Sequence, residues 1–251
     1  SLMMKLVEEG RVDLDKPVKH YLRDFQIGDT KAAEIITVKQ LLNHSSGIFG
    51  DYDFDDSKEE GAHIARYVDR CSQSPLVHSV GEGFSYSNAA LVVAGRVIEV
   101  VSGISWFDAM EEWIYKPLGM DHSICRPADA IRFRTAIGHV ADLEDATKTT
   151  IHPSPYLSLG LAPAGSVATM SVADLITFGR AHLDGGFNQQ GERWLSETSV
   201  QAMQTPTIAA PSISQDTNGS TGLGWGLGKH NASGLRTVGH TGGTYGQFSR
   251  L

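Results

Sequence analysis

Apolar positions recur at helical intervals through most of this chain and at strand intervals only near its end. Residues 3–9 carry the apolar side of a helix, and Gly10 is placed to close it, since glycine enters the left-handed region without a Cβ clash. Val12 to Val18 reads as an extended turn. Thr37-Val38-Lys39-Gln40 has capping-box spacing and opens a short helix through Leu42. Ser57-Lys58-Glu59-Glu60 repeats that spacing, and Ile64, Tyr67, Val68 and Cys71 follow on one face, which predicts an amphipathic helix over 58–71. Residues 88–102 are almost wholly apolar and end at Gly103, the pattern of a buried helix. A further helix is predicted over 105–116, closed by Pro117-Leu118-Gly119. Ser171-Val172-Ala173-Asp174 is a third capping box, with Val172, Leu175, Ile176, Gly179 and Leu183 on one face. Residues 196–204 make a short helix. Gly222 to Gly228 and Leu235 to Thr241 read as two strands joined by a polar turn at His230 to Gly234. Residues 121–165 read as irregular, and 207–220 as a mobile loop.

A chain of 251 residues can bury a substantial core, in one large domain or two unequal ones. The net charge of −8 argues against a nucleic-acid partner, which would need a basic face to offset phosphate, and against an anionic membrane surface. The longest apolar run, Ala89 to Val101, is broken by Arg96 and Glu99 and falls short of the roughly 18–20 residues that span a bilayer. Cys71 and Cys125 lie far apart without a Cys-x-x-Cys and read as reduced thiols. The chain enters a helical pattern at once, with no leader, and periplasmic and cytoplasmic locations both stay open.

Several familiar chemistries find no residues here. There is no Gly-x-Ser-x-Gly nucleophile elbow and no His-Glu-x-x-His. Gly222 to Lys229 fits neither the P-loop nor the dinucleotide spacing. Asp51-x-Asp53-x-Asp55 opens like a calcium loop, but Asp56 stands where glycine belongs and Ala62 where the closing glutamate belongs, so the segment reads as a solvated acidic loop. The ten histidines show no metal-ligand spacing, and neither a metal nor a cofactor is expected.

Two short elements carry the candidate chemistry. In Tyr86-Ser87-Asn88, Tyr86 and Asn88 stand two apart, so extended backbone turns both side chains to one side. Packing for Tyr86 and helix capping for Asn88 are the structural alternatives. A phenol, of unperturbed pKa about 10, becomes a useful base only beside a cation that stabilises phenolate. The second element is His240-Thr241-Gly242-Gly243. Its structural reading is a strand ending in a glycine turn. Its functional reading is a strand edge that pairs with substrate, with His240 and Thr241 toward a carboxylate and the Gly243 N–H as half of an oxyanion hole.

Taken together, the chain resembles the serine β-lactamase-like family, which includes class C β-lactamases, DD-peptidases, D-amino-acid peptidases and esterases of the β-lactamase fold. The similarity runs nearly end to end. Residues 6–18 resemble the segment after the nucleophile helix. Residues 36–47, ending Leu41-Leu42-Asn43-His44-Ser45-Ser46-Gly47, resemble a signature taken as structural. Phe84 to Asn88 resembles the Tyr-x-Asn element, 115–120 and Pro163-Ala164-Gly165 match further segments, and His240-Thr241-Gly242 resembles the Lys/His-Thr-Gly element.

The resemblance implies an α+β fold of the β-lactamase/transpeptidase type, a helical region plus an antiparallel sheet flanked by helices. Residues 1–20 and 166–251 would form the sheet portion, incomplete in this chain, and 21–165 the helical portion. It implies a serine hydrolase working through an acyl-enzyme on an amide or ester that carries a carboxylate. Tyr86 would shuttle the proton, Asn88 would hold the acyl amide, and His240, Thr241, Gly242 and Gly243 would bind substrate. The family's Ser-x-x-Lys occurs nowhere in the 251 residues; Ser1 precedes Lys5 by four positions instead of three and stands in the wrong register. The chain is therefore expected to be truncated at both ends and inactive alone, and to associate as a homodimer through the open sheet. A non-catalytic binding or scaffold protein of the same fold stays open. Histidine at position 240, ordinarily mostly neutral at pH 7, favours a peptidase or esterase over an efficient β-lactamase.

Overall fold

The structure is a computed structural model that describes residues 1–50, 52, 61–142, 144, 145, 147–210 and 219–251. Helix α1, Leu2–Glu8, turns its buried residues Leu2, Met3, Met4 and Leu6 inward, and Gly10 follows at φ 68°. Asp29 caps α2, Thr30–Ile35, with its carboxylate accepting from the amides of Lys31 and Ala32. The capping box of α3, Val38–Leu42, is complete. The Gln40 amide donates to the Thr37 hydroxyl at 3.3 Å, and the Thr37 amide donates to the Gln40 side chain at 2.9 Å.

Helix α4, His63–Arg70, buries Ile64, Tyr67 and Val68 as expected, but it starts later than the pattern predicted. Gly61 and Ala62 take positive φ values of 57° and 48°, which the right-handed helix does not admit. The Ser57–Glu60 capping box and most of the acidic loop, Asp51 and residues 53–60, lie outside the described residues.

Helix α5, Asn88–Ser102, is the centre of the molecule and ends at Gly103 with φ 80°. Ala89, Ala90, Val92, Val93, Val97 and Ile98 are all buried. It crosses the turn Leu159–Ala164 at Gly95, where an added Cβ would lie 2.3 Å from the Pro163 ring. Helix α6, Trp106–Met110, passes into a π-helical turn, Glu111–Tyr115, and then α7, Lys116–Leu118. The helical run thus continues through Pro117, two residues past the expected end, and Gly119 closes it at φ 66°.

Residues 121–165 are more ordered than their composition suggested. Strand β1, Ser123–Ile124, pairs with β4, Thr169–Met170, and β2, His139–Ala141, pairs with β3, Thr149–Ile151. Helix α8, Val172–Leu183, corrects the face prediction. Val172 and Leu183 are 74% and 77% exposed, whereas Asp174, Ala181 and His182 are buried. The inner side is held by an aromatic cluster in which His182 meets the rings of Phe178, Trp194 and Trp225 at 4.9–5.5 Å. Ser171 caps the helix, but the Asp174 carboxylate is drawn away to the His122 amide and the Ser123 hydroxyl. Helix α9, Glu197–Met203, is capped by Ser196.

The chain ends in antiparallel sheet. Strands β5, Ile208–Ala209, β6, Ser220–Thr221, β7, Gly226–Lys229, and β8, Arg236–Gly239, pair in that order. Gly222 to Trp225 is a turn instead of strand, since the Gly222 amide donates to the Trp225 carbonyl. Residues 211–218 of the expected loop lie outside the described residues. After His240 the chain continues as β9, Thr241–Thr244, which pairs with β10, Gln247–Arg250. The β2–β3 hairpin packs on the β9–β10 turn. The His152 and Tyr245 rings stack at 4.0 Å, and a Cβ on Gly138 would meet the Tyr245 carbonyl. Both cysteines are free and buried, and burial raises each thiol to about 12. Among the described residues no single helix is long and apolar enough to cross a membrane.

The contact at Gly95 sets a test of the core. Gly95→Ala forces a methyl group into the rigid Pro163 ring and is expected to destabilise the fold by about 1–3 kcal/mol, read as a lower urea midpoint at unchanged slope.

Candidate active site

The Tyr-x-Asn element is a short extended segment leading into α5. Ser87 has φ −141° and ψ 108°, so Tyr86 and Asn88 project to the same side. The helix cap is Ser87, whose hydroxyl accepts from the Ala90 amide at 3.1 Å. Asn88, the first residue of the helix, is therefore not the cap.

An extended segment without a neighbouring strand must satisfy its amides in another way. Here the loop 44–50 supplies acceptors to alternate N–H groups. Ser85 donates to the His44 carbonyl at 2.9 Å, Ser87 to the His44 imidazole Nδ1 at 3.1 Å, and Ala89 to the Gly50 carbonyl at 3.2 Å. The approach is so close that a Cβ on Gly50 would lie 2.5 Å from the Tyr86 carbonyl oxygen.

That loop is shaped by its own polar residues. Asn43 Oδ1 accepts from both the amide and the hydroxyl of Ser45, at 3.1 and 2.7 Å. The Ser46 hydroxyl accepts from the Ile48 amide. His44 stands at φ 60°, and Gly47 at φ 77° passes against the His78 carbonyl. Asn43, His44, Ser45 and Ser46 are all buried, and the asparagine, the serines and the histidine each have hydrogen bonds to justify that burial.

The second element faces this one. The Tyr86 and His240 ring centroids are 6.0 Å apart, and Tyr86 also lies against His44 at 4.4 Å. His240 Nδ1 is hydrogen-bonded to the Thr241 carbonyl. His240 exchanges both backbone hydrogen bonds with Leu251, at 3.1 and 3.0 Å. In an antiparallel ladder such pairs alternate, so the N–H and C=O groups of Thr241 and Gly243 point away from β10. Those groups line the other edge of β9, which has no strand partner among the described residues.

The structure thus brings Tyr86 and His240 into ring contact, puts Asn88 on the side of Tyr86, and gives Gly243 an N–H directed away from the β10 ladder. Ser1 and Lys5 are engaged elsewhere: the Ser1 hydroxyl is 3.0 Å from His182 Nε2, and the Lys5 ammonium is bonded to the Trp194 carbonyl. Sequence reasoning took the segment around His44 as structural and did not connect it with Tyr86. The signal available was four consecutive polar residues, Asn43 to Ser46, directly after the apolar end of α3.

The chain belongs to the beta-lactamase family, whose profile matches residues 1–250. Penicillin-binding protein 4 of Amycolatopsis lactamdurans is 34% identical over 256 residues, an alignment covering 100% of this chain and 65% of that protein. The octameric penicillin-binding protein homologue from Pyrococcus abyssi superposes with a TM-score of 0.75 at 28% identity, over 96% of this chain and 53% of that one. The D-stereospecific amidohydrolase from Streptomyces sp. superposes with a TM-score of 0.74 at 28% identity, over 98% of this chain and 72% of that one. The chain spans 65% of the length of the Amycolatopsis lactamdurans protein, and its match to protein flp of Staphylococcus aureus, 30% identical, covers 30% of that protein.

Electrostatics at the site centre on His44. Burial lowers its pKa to about 4, and the nearby His240 adds to the shift. His182 is lowered to about 3, again chiefly by burial. Both rings fold neutral and must take up a proton on unfolding below the ordinary value of 6.5. Their effect on stability is absent above pH 6.5 and grows as pH falls toward 4, where it reaches on the order of 3 kcal/mol per ring. Urea midpoints measured from pH 7 to pH 4 are expected to fall over that window, and His182→Gln is expected to flatten the slope.

Proposed function

We propose that the protein is a serine acyl-transfer hydrolase acting on an amide or ester that carries a carboxylate, in the manner of D-amino-acid amides and peptides. The observation that carries this reading is the 6.0 Å approach of Tyr86 to His240 beside the open edge of β9. A substrate lying along that edge would place its carboxylate at His240 and Thr241. Its reacting carbonyl would lie at the Gly243 N–H, where a fixed backbone donor stabilises developing negative charge. Asn88 would hold the amide on the acyl side. Tyr86 would accept the nucleophile's proton and return it to the leaving group, which requires a cation close to the phenol. The serine attacks the carbonyl carbon, the C–N or C–O bond breaks with the proton going to the leaving group, and water then releases the acyl group. The helical portion, 21–165, brings Tyr86 and Asn88 to this cleft, and the portion formed by 1–20 and 166–251 brings His240 to Gly243.

The attacking serine and its lysine partner would come from a Ser-x-x-Lys, a motif that does not occur in these 251 residues. The likeness to a D-stereospecific amidohydrolase supports the amide reading. In the full-length protein, Tyr86→Phe is expected to lower kcat/KM on a D-aminoacyl amide or ester by about 10²–10⁴-fold. An unchanged value would remove Tyr86 from the mechanism. The 251-residue chain alone is expected to take up no fluorescent penicillin, and stoichiometric labelling of any of its serines would overturn the assignment of the nucleophile.

We also propose that copies of this chain associate across the sheet side of the molecule. Phe248 on β10 is 88% exposed, and the outer face of α8 exposes Val172, Ile176 and Leu183. The Pyrococcus abyssi homologue is itself octameric. Sedimentation of the chain at micromolar concentration is expected to show a dimer, and a sharp monomer boundary would exclude it.

A further inference from the structure

We propose that His44 is the positioning residue of the site, fixing where the Tyr86 hydroxyl stands through a hydrogen bond to the Ser87 amide and a ring contact with Tyr86. This rests on the reading of Tyr86 as the proton shuttle and adds to it the group that sets its place.

The position of His44 is unusual in three ways. It is 2% exposed, yet its imidazole Nδ1 accepts the Ser87 N–H at 3.1 Å. A ring nitrogen that accepts must be unprotonated, so the hydrogen of the neutral ring sits on Nε2. Its backbone is at φ 60°, in the left-handed region that few non-glycine residues adopt. Finally, its ring is wedged between Phe84, at 5.7 Å edge-on, and Tyr86, at 4.4 Å. A residue that only filled space would not need a left-handed backbone and a directed nitrogen.

The consequence for Tyr86 is specific. Tyr86 is 37% exposed, so the core does not surround its phenol. The His44 ring lies 4.4 Å from the Tyr86 ring and the His240 ring 6.0 Å from it. Among the described residues, the loop 44–50 holds the amides of Ser85, Ser87 and Ala89, and the middle bond, to Ser87, depends on the His44 side chain. The outer two end on the backbone carbonyls of His44 and Gly50 and do not use the side chain at position 44. Replacing the His44 side chain therefore frees the amide directly after Tyr86 while leaving the flanking anchors in place.

Two substitutions separate the contributions. His44→Gly accepts φ 60° without strain and removes both the acceptor and the ring. His44→Asn also tolerates that backbone and restores an acceptor, Oδ1, near the position of Nδ1, without the ring. In the full-length protein, hydrogen exchange at the Ser87 amide is expected to quicken at least about tenfold in His44→Gly and to slow again in His44→Asn. The kcat of His44→Gly is expected to fall by about 10²-fold with KM little changed, as for a displaced catalytic group, and to recover partly in His44→Asn. In the unaltered protein, a ¹⁵N–¹⁵N coupling across the hydrogen bond should link His44 Nδ1 to the Ser87 nitrogen, and its absence would overturn the proposal even where a variant fails to fold.

An Nδ1–H tautomer of His44 at neutral pH would overturn the proposal. So would unchanged Ser87 exchange in folded His44→Gly, or a loss of activity that tracks the unfolding midpoint and is not relieved by asparagine. Tyr86→Phe keeps the two readings apart. Full activity in that variant defeats the proton-shuttle role while the coupling and exchange still judge the positioning; loss of activity there, with kcat intact in His44→Gly, defeats the positioning alone.

Discussion

The site depends on how the amides of an unpaired extended segment are satisfied. Residues 85–87 run extended into α5 without a strand alongside them among the described residues, and the N–H groups of Ser85, Ser87 and Ala89 end on acceptors from a single loop: the His44 carbonyl, the His44 imidazole and the Gly50 carbonyl. Buried amides left without acceptors would each cost about 1–3 kcal/mol, so the loop and the segment must order together. This explains the density of unusual backbone in 44–50. A left-handed histidine, a left-handed glycine against His78, and a glycine that a methyl group would drive into Tyr86 are all needed to bring three acceptors into line. The Asn43–Ser45–Ser46 bonds then hold that loop from behind.

The facing strand shows the complementary principle. An antiparallel strand uses only every second residue to bind one neighbour, and the remaining groups point the other way. The bonds between His240 and Leu251 set the parity, and that parity points the N–H groups of Thr241 and Gly243 away from β10. Glycine at 242 gives room to the Ser249 hydroxyl, which an added Cβ would meet at 2.7 Å. The turn at Tyr245-Gly246 is held in turn by the β2–β3 hairpin, whose Gly138 comes into direct contact with the Tyr245 carbonyl. The chemistry of the edge and the rigidity of its far end are therefore supplied by different parts of the chain.

Local signals were readable where one short stretch of residues decides the outcome. The capping box at Thr37–Gln40, the apolar run closed by Gly103, and Gly119 after Leu118 each act within a turn or two, and each appears where the pattern placed it. The face of α8 was misjudged because its apolar stripe and its buried side differ. Contacts of Phe178 and His182 with Trp194 and Trp225, distant in sequence, decide which side turns inward. The β2–β3 hairpin was missed because its short strands gain their order from packing on the β9–β10 turn, not from their own alternation. At the site, Tyr86, Asn88 and the 240–243 stretch were legible as motifs. The part played by His44 was not, since a buried histidine in a polar run has no periodicity to reveal its partner.

The sequence by itself determined the helices, their caps, the α+β character of the chain and the motif residues, because these rest on interactions between residues a few positions apart. Only the tertiary structure decided that the Tyr86 and His240 rings meet, that the His44 imidazole accepts the Ser87 amide, and that the Gly243 N–H points away from the β10 ladder. Those facts depend on hydrogen bonds and ring contacts across 43 residues in one case and more than 150 in the other, and no local propensity encodes a partner at that distance.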